Sequence, residues 1–164
     1  MESLVNFFIG IFAGVNREVV IFIISLMPIL ELRGGLVAAT LLKVPYLKAV
    51  IICIFGNILP IPFVLLFLEK ILSFMSKWNV TKRLVNWLIK KGNSKRNQID
   101  KYGYWGLILF VGIPLPGTGA WTGSLVAVLL GLDRKKSFLC ICLGILLAAV
   151  IMSIVSYGIL GNLI

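Results

Sequence analysis

The chain has 164 residues, 60% of them hydrophobic and only 13% charged, where a soluble domain carries about a quarter charged residues. With a mean hydropathy of +1.06, it reads as an all-α integral membrane protein. Its length suffices for one compact helical bundle, a single membrane domain spanning 1–164. The net charge of +10 does not mark a nucleic-acid binder, because the bases sit in short stretches between apolar segments, where orientation in a bilayer accounts for them.

The composition closes off several chemistries. There is no histidine, hence no imidazole metal site or histidine proton relay. Cys53, Cys140 and Cys142 lie in apolar runs without a C-x-x-C spacing and read as small buried hydrophobes. No metal, no cofactor and no nucleic-acid partner is expected. No nucleophile with its base and no phosphate loop appears, so the chain is not read as an enzyme.

Met1 to Asn6 carry an acid and no base, unlike the start of a cleavable signal peptide, so the N-terminus is expected to stay in the mature protein. Residues 3–15 form an apolar run of about 13, short of the roughly 20 that span a bilayer, and fit an interfacial helix. After Asn16-Arg17-Glu18, residues 19–30 are apolar up to Pro28 and Glu31. Arg33, Gly34 and Gly35 follow, then Leu36 to Leu42 and the corner Lys43-Val44-Pro45.

Residues 19–43 therefore read either as one helix with charges inside it or as two short helices forming a re-entrant hairpin. Paired glycines beside a proline are suited to such a break, which membrane depth tolerates only where protein or water satisfies the backbone. Residues 46–68 make a full span, kinked at Pro60 and Pro62, with Asn57 as a buried helix-to-helix hydrogen bond. In residues 71–101 a helical spacing of Phe74, Trp78, Thr81, Val85 and Leu88 among many bases predicts an amphipathic surface helix ending near Gly92. Tyr102-Gly103-Tyr104-Trp105 reads as an aromatic anchor. A second break follows through Pro114, Pro116, Gly117, Gly119 and Gly123, then an apolar segment, the corner Asp133 to Lys136 and a last span over 137–160.

Sliding the chain on itself by 88 residues takes Pro28 onto Pro116, Gly35 onto Gly123, Ala39 onto Ala127, Leu42 onto Leu130, Lys48 onto Lys136 and Gly56 onto Gly144. Each half then reads as short segment, break, short segment, charged corner, full span. The first repeat covers 19–68, an amphipathic linker 69–103 and the second repeat 104–160. Interrupted hydrophobic segments at matching places are the pointer to a transporter-type inverted repeat. Charge agrees. Lys70 to Lys101 is densely basic and belongs on the cytoplasmic side, and a second hairpin that enters and returns keeps Arg134, Lys135 and Lys136 there too. Lys43 and Lys48 fall outside, so the first hairpin enters from the other face. The fold expected is thus two re-entrant helical hairpins in an inverted repeat, each followed by a transmembrane helix, with an amphipathic surface helix between halves.

A charge at membrane depth costs at least about 2.5–3.5 kcal/mol on insertion scales, so Glu31 and Arg33 read as a site by default. They lie about 200° apart around a straight helix and meet only if the chain unwinds at the glycines. Burial disfavours the charged carboxylate and a nearby arginine favours it, leaving a group able to exchange a proton or hold a cation. Arg33 would counter that charge or bind an anionic group; the structural alternative is an ion pair that holds the hairpin. In the second break Thr118 and Thr122 offer hydroxyls, Trp121 an amphipathic ring, and exposed amides at a half-helix start would attract an anion. The candidate substrate and ion-coupling set is Glu31, Arg33, Gly34, Gly35, Thr118, Trp121 and Thr122.

With Pro28-Ile-Leu-Glu31-Leu-Arg33-Gly-Gly35 early and Pro114-Leu-Pro116-Gly-Thr-Gly119-Ala-Trp121-Thr-Gly123 late, nearly the whole chain resembles the small multidrug export protein family of bacteria and archaea. It is more distantly similar to the DedA (VTT-domain) membrane proteins. The resemblance implies inverted re-entrant hairpins packed tip to tip and a transport activity, with Glu31 matching the acidic residue of the DedA first hairpin. DedA members carry arginines in the second hairpin, whereas residues 104–132 here hold no charge, and Arg33 is the expected substitute for them. The reading is a secondary transporter or exporter of a small or lipid-like solute in the cytoplasmic membrane, multi-pass and proton-coupled through Glu31. The alternatives are a lipid scramblase or flippase and a non-transporting membrane assembly factor. Expected partners are membrane lipids, a small-molecule or lipid substrate and protons, with a homo-oligomer left open.

Overall fold

The computed structural model describes residues 14–76 and 96–159, and every described element is helical. The interfacial run at the N-terminus and most of the predicted surface helix lie outside the described residues.

Helix α1, Arg17–Leu26, starts where Asn16 accepts a hydrogen bond from the Glu18 amide at 2.9 Å, a side-chain cap on donors that have no partner within the helix. It stops because Pro28 drives Met27 into an extended conformation. A four-residue turn leads to α2, Glu31–Leu41. Helices α3, Tyr46–Ile58, and α4, Ile61–Ser76, follow one another across a bend at Leu59 and Pro60, the place where a proline interrupts the hydrogen-bond ladder. Helix α5, Arg96–Gly112, is interrupted at Gly103, whose φ of 56° no helix adopts. The longer break Ile113 to Gly119 precedes α6, Ala120–Leu129. Helix α7, Arg134–Ser153, is capped by Asp133, which accepts from the Lys136 amide at 2.8 Å, and ends in a π-helical turn over Ile154–Ile159.

Two stretches, Tyr46–Leu68 with 23 residues and Arg134–Gly158 with 25, are long and apolar enough to cross a membrane. Helices α1, α2 and α6 and the apolar part of α5 are too short to do so. Large side chains on the outer faces of α3, α4 and α7, including Phe55, Phe63, Leu139 and Val150, are more than half exposed. In water this would be an extended apolar patch; against lipid it is the ordinary finish of a membrane helix. Inside, Ile21, Ile24, Leu36, Cys53, Leu107, Ile141 and Ile145 are fully buried in one core.

The same local devices recur in the two halves. Helices α2 and α6 end in the same Schellman turn: the Val44 amide reaches the Ala39 carbonyl and the Lys43 amide reaches Thr40, while Leu132 reaches Ala127 and Gly131 reaches Val128. That turn needs one residue with positive φ, supplied by Lys43 at 54° and Gly131 at 65°. Helix α1 packs on α2 and α3, and α5 packs on α6 and α7. A Cβ at Gly56 would meet the Phe22 carbonyl at 2.9 Å and one at Gly144 the Ile108 carbonyl at 2.9 Å, so glycine sets the closest backbone approach in each half. The halves join where α4 meets α6 and where α2 and α3 meet α7.

Two expectations need correction. Gly34 and Gly35 do not form the break, which lies at Met27 to Leu30; both glycines are helical, and a Cβ on Gly35 would overlap the Ser25 Oγ and come within 2.8 Å of the Cys53 Sγ. Their smallness serves packing, and Pro28 alone stops the ladder. Asn57 is 2% exposed, and its Oδ1 has no hydrogen-bond partner, so the expected helix-to-helix bond is not made through that oxygen.

Candidate functional site

The two breaks meet, and they do so through the charges of the first. Glu31 opens α2 with a φ of 51°, a conformation that costs a non-glycine residue roughly 1–2 kcal/mol. This turn sends its carboxylate across to the start of α6. There Oε2 accepts from the Ala120 amide and Oε1 from the Trp121 amide, both at 3.1 Å. The first amides of a helix lack partners within it and carry its positive dipole end, so a carboxylate is the group that suits them. The side chain is 5% exposed. Gly119 makes this approach possible: its φ of 139° is open only to glycine, and a Cβ there would fall on the Glu31 carboxylate.

Arg33 complements the opposite pole. Its Nη1 donates to the Leu115 carbonyl at 2.8 Å, and its Nη2 to the Thr118 Oγ1 at 2.9 Å and to the carbonyls of Ile113 and Val111 at 3.3 and 3.4 Å. Val111 belongs to the last turn of α5, where unpaired carbonyls form the negative end of the helix. The planar guanidinium reaches several of these oxygens at once, a geometry that lysine cannot reproduce. The Thr118 hydroxyl also donates within the break, toward Ile113 or Leu115 at 2.9 and 2.8 Å.

Glu31 and Arg33 therefore do not form an ion pair with each other. Among the described residues the one salt bridge joins Lys48 to Glu18 at 3.3 Å, on the surface. The anion expected at the start of α6 is the chain's own Glu31, and both terminal nitrogens of Arg33 are likewise engaged. The second half returns one contact: the Trp121 Nε1 donates to the Leu26 carbonyl, in the last turn of α1, at 3.2 Å. Arg33 and Trp121 coincide under the 88-residue shift, and each donates to carbonyls ending the other half's first helix. That correspondence was present in the sequence but is visible only once the breaks face each other.

Glu31, Arg33, Thr118 and Trp121 are thus brought together. Thr122 stands one residue further on and lines a neighbouring groove of about 810 Å³ with Pro28, Leu26, Phe63, Phe67 and Trp121. The groove is open along one side and has no charged residue in its lining. Gly34 and Gly35 lie behind the junction in α2, and Gly123 packs α6 against Val111. Pro114, Pro116 and Gly117 lie in the second break, between α5 and α6. No group of three or more acidic or cysteine side chains that could hold a metal exists among the described residues.

A family model described as "Putative small multi-drug export protein" matches residues 31–151, from Glu31 through Arg33, the whole second break and nearly all of α7. The chain belongs to that family. No curated protein and no solved structure matches it. Membership of the small multidrug export family and two helices able to cross a bilayer make this a membrane protein, in a family described by export rather than by catalysis.

Proposed function

We propose that this member of the small multidrug export family is a multi-pass protein of the cytoplasmic membrane that exports a small, apolar or lipid-like solute. Its halves enter the bilayer from opposite faces as re-entrant hairpins in an inverted repeat. The breaks meet near the midplane, and Glu31 is the proton-coupling group. Four short helices in two pairs, the shared Schellman turns and the basic stretch from Lys70 to Lys101 support the topology.

The observation that carries the functional reading is the position of Trp121. Its backbone amide is held by Glu31 while its side chain lines the apolar groove, so the protonation state of the carboxylate reaches the wall of the solute path through one residue. As a carboxylate, Glu31 accepts two charge-assisted hydrogen bonds and holds α6 against α2. Protonated, it loses the charge that suits the helix start, and bonds of this type are about twice as strong as neutral ones. The junction then loosens and Trp121 is released to move. Arg33 keeps the α5 end anchored throughout.

The test is reconstitution into liposomes under a pH gradient, following proton flux and efflux of an apolar fluorescent dye for wild type and Glu31→Gln. Dye efflux coupled to proton flux in wild type, with coupling lost in Glu31→Gln, is the expected result. Both activities present and equal in the two proteins would remove Glu31 from the mechanism. The groove's open side favours a second reading, lipid scrambling. Its lining offers a hydroxyl only at Thr122, a poor path for a headgroup, and fluorescent-lipid exchange in the same vesicles distinguishes the two.

A further inference from the structure

The last turn of α2 meets the π-helical turn that closes α7, and polar oxygens gather at the contact. The Thr40 hydroxyl has two carbonyls in reach, that of Leu36 in its own helix at 3.1 Å and that of Ser156 in the π-turn at 3.3 Å. It has one proton to give, so one of these contacts is left short of a donor. Ser153 precedes the π-turn and Ser156 lies within it; they are 7% and 0% exposed, and neither hydroxyl has a hydrogen-bond partner. Other buried serines behave differently: Ser25 and Ser124 each donate to the carbonyl four residues back at 2.7 Å. A buried hydroxyl that makes no bond is costly, and two of them beside a crowded carbonyl call for an occupant.

The surroundings select its chemistry. Helices α2 and α7 both finish here with the carbonyl, negative ends of their dipoles, and neither carries a basic residue in its last turn. Arg17 donates to the Leu42 carbonyl at 3.1 Å and the Tyr157 hydroxyl to the Val44 carbonyl at 2.8 Å. Those donors serve the turn after α2 and not the Thr40–Ser156 contact. Hydroxyls and carbonyls alone lack the carboxylates that hold calcium and the nitrogen or sulfur that transition metals take. They suit an alkali cation, whose charge the two helix ends favour over a neutral water. Ser153 also lines an open pocket of about 400 Å³ with Tyr46, Ile154 and Tyr157, which gives an ion a way in.

We infer that the end of α2 and the π-turn bind a sodium ion, ligated by Thr40 Oγ1, Ser153 Oγ, Ser156 Oγ and the Ser156 carbonyl. Interrupted membrane helices hold this cation with carbonyls at their ends and breaks. Potassium is larger, and the 3.3 Å between Thr40 Oγ1 and the Ser156 oxygen is tight for it. Glu31 opens the helix that Thr40 closes, so an ion here steadies the far end of the element that carries the junction. The site stands apart from the export reading, because binding is measured without transport.

The test is thermal unfolding of the detergent-solubilised chain in choline, potassium or sodium chloride at equal ionic strength. Sodium should raise the wild-type midpoint saturably, by roughly 3 °C at about tenfold excess over its Kd, and potassium and choline should not. Ser153→Ala and Thr40→Val should each weaken sodium binding about tenfold, the loss of one ligand, while Thr40→Ser, which keeps the hydroxyl, should bind as wild type does. Ser137→Ala removes an equally unpartnered hydroxyl near the other end of α7 and should keep the full response. Binding of radioactive sodium to wild type, displaced by sodium and not by potassium, checks the site without relying on any variant's fold. Equal midpoints in the three salts, the behaviour of a site filled by water, would overturn the assignment. So would displacement by potassium as effective as by sodium, or an undiminished sodium response in Ser153→Ala.

Discussion

Replacing Gly119 by alanine tests the seating of Glu31 without touching a charge. The new methyl would fall on the carboxylate, within 2.6 Å of its Cδ and Oε1, and the backbone would be held at a φ of 139° that only glycine accepts readily. The backbone strain costs about 1–3 kcal/mol. Ejecting the carboxylate from the Ala120 and Trp121 amides costs about 1.5–3 kcal/mol for each charge-assisted bond. Gly119→Ala alone should thus destabilise the chain by about 4–9 kcal/mol, a large share of the total for any protein. In a Glu31→Ala background the carboxylate is already gone and the methyl enters vacated space, so the same substitution should cost only the backbone part. The coupling in this double-mutant cycle is expected at about 3–6 kcal/mol, read from reversible unfolding in mixed micelles followed by circular dichroism. Additivity to within about 0.5 kcal/mol, the behaviour of independent sites, would refute the placement of Glu31 at the start of α6.

Other consequences are simpler to test. Arg33→Lys should destabilise by about 2 kcal/mol and Arg33→Gln by more, because a point charge cannot reach the four oxygens the guanidinium serves; unfolding free energies equal to wild type would contradict the contact. Lys43→Gly should stabilise by about 0.5–1 kcal/mol, since the Schellman turn holds Lys43 at a φ of 54°, and a lowered unfolding midpoint would count against that turn. Gly35→Ala should cost about 1–3 kcal/mol through overlap with Ser25 and Cys53, and Ser25→Ala should restore part of it. For topology, a single cysteine near Lys135, with Cys53, Cys140 and Cys142 replaced, should react with impermeant thiol reagents only from the cytoplasmic side; labelling from outside would end the re-entrant reading.

Much of the fold was legible because membrane helices announce themselves by length and their ends by proline, glycine and charge. Pro28 and Pro60 stop helices where the ladder loses a donor, and Asp133 and Asn16 cap where the composition turns polar. The site was legible as a list, since Glu31 and Arg33 are costly in an apolar run, but not as a set of contacts. Spacing suggested that the two would pair once the glycines unwound. Their partners are backbone groups of another segment, and any sequence carries amides and carbonyls at every position. Likewise Gly34 and Gly35 advertised freedom of backbone, while their use is closeness of side chains, which only the neighbours Leu30, Ser25 and Cys53 reveal.

The halves match in backbone and differ in charge, and the junction explains why one half can carry both. Each break exposes two helix ends of opposite polarity: the carbonyls finishing the helix before it and the amides opening the helix after it. The second break has neither acid nor base of its own, and it receives both from the first, Glu31 at the amides and Arg33 at the carbonyls. In return Trp121 supplies one neutral donor to the Leu26 carbonyl, and Gly119 supplies only space. A mirrored acid at position 119 would place two carboxylates against each other at the same point, where like charges in a dry site repel strongly. The proposed inverted repeat therefore favours a single acid, and the glycine opposite it is the form its counterpart must take. If Glu31 couples protons, it does so as one group per chain, and Gly119→Glu should abolish the junction rather than double the coupling.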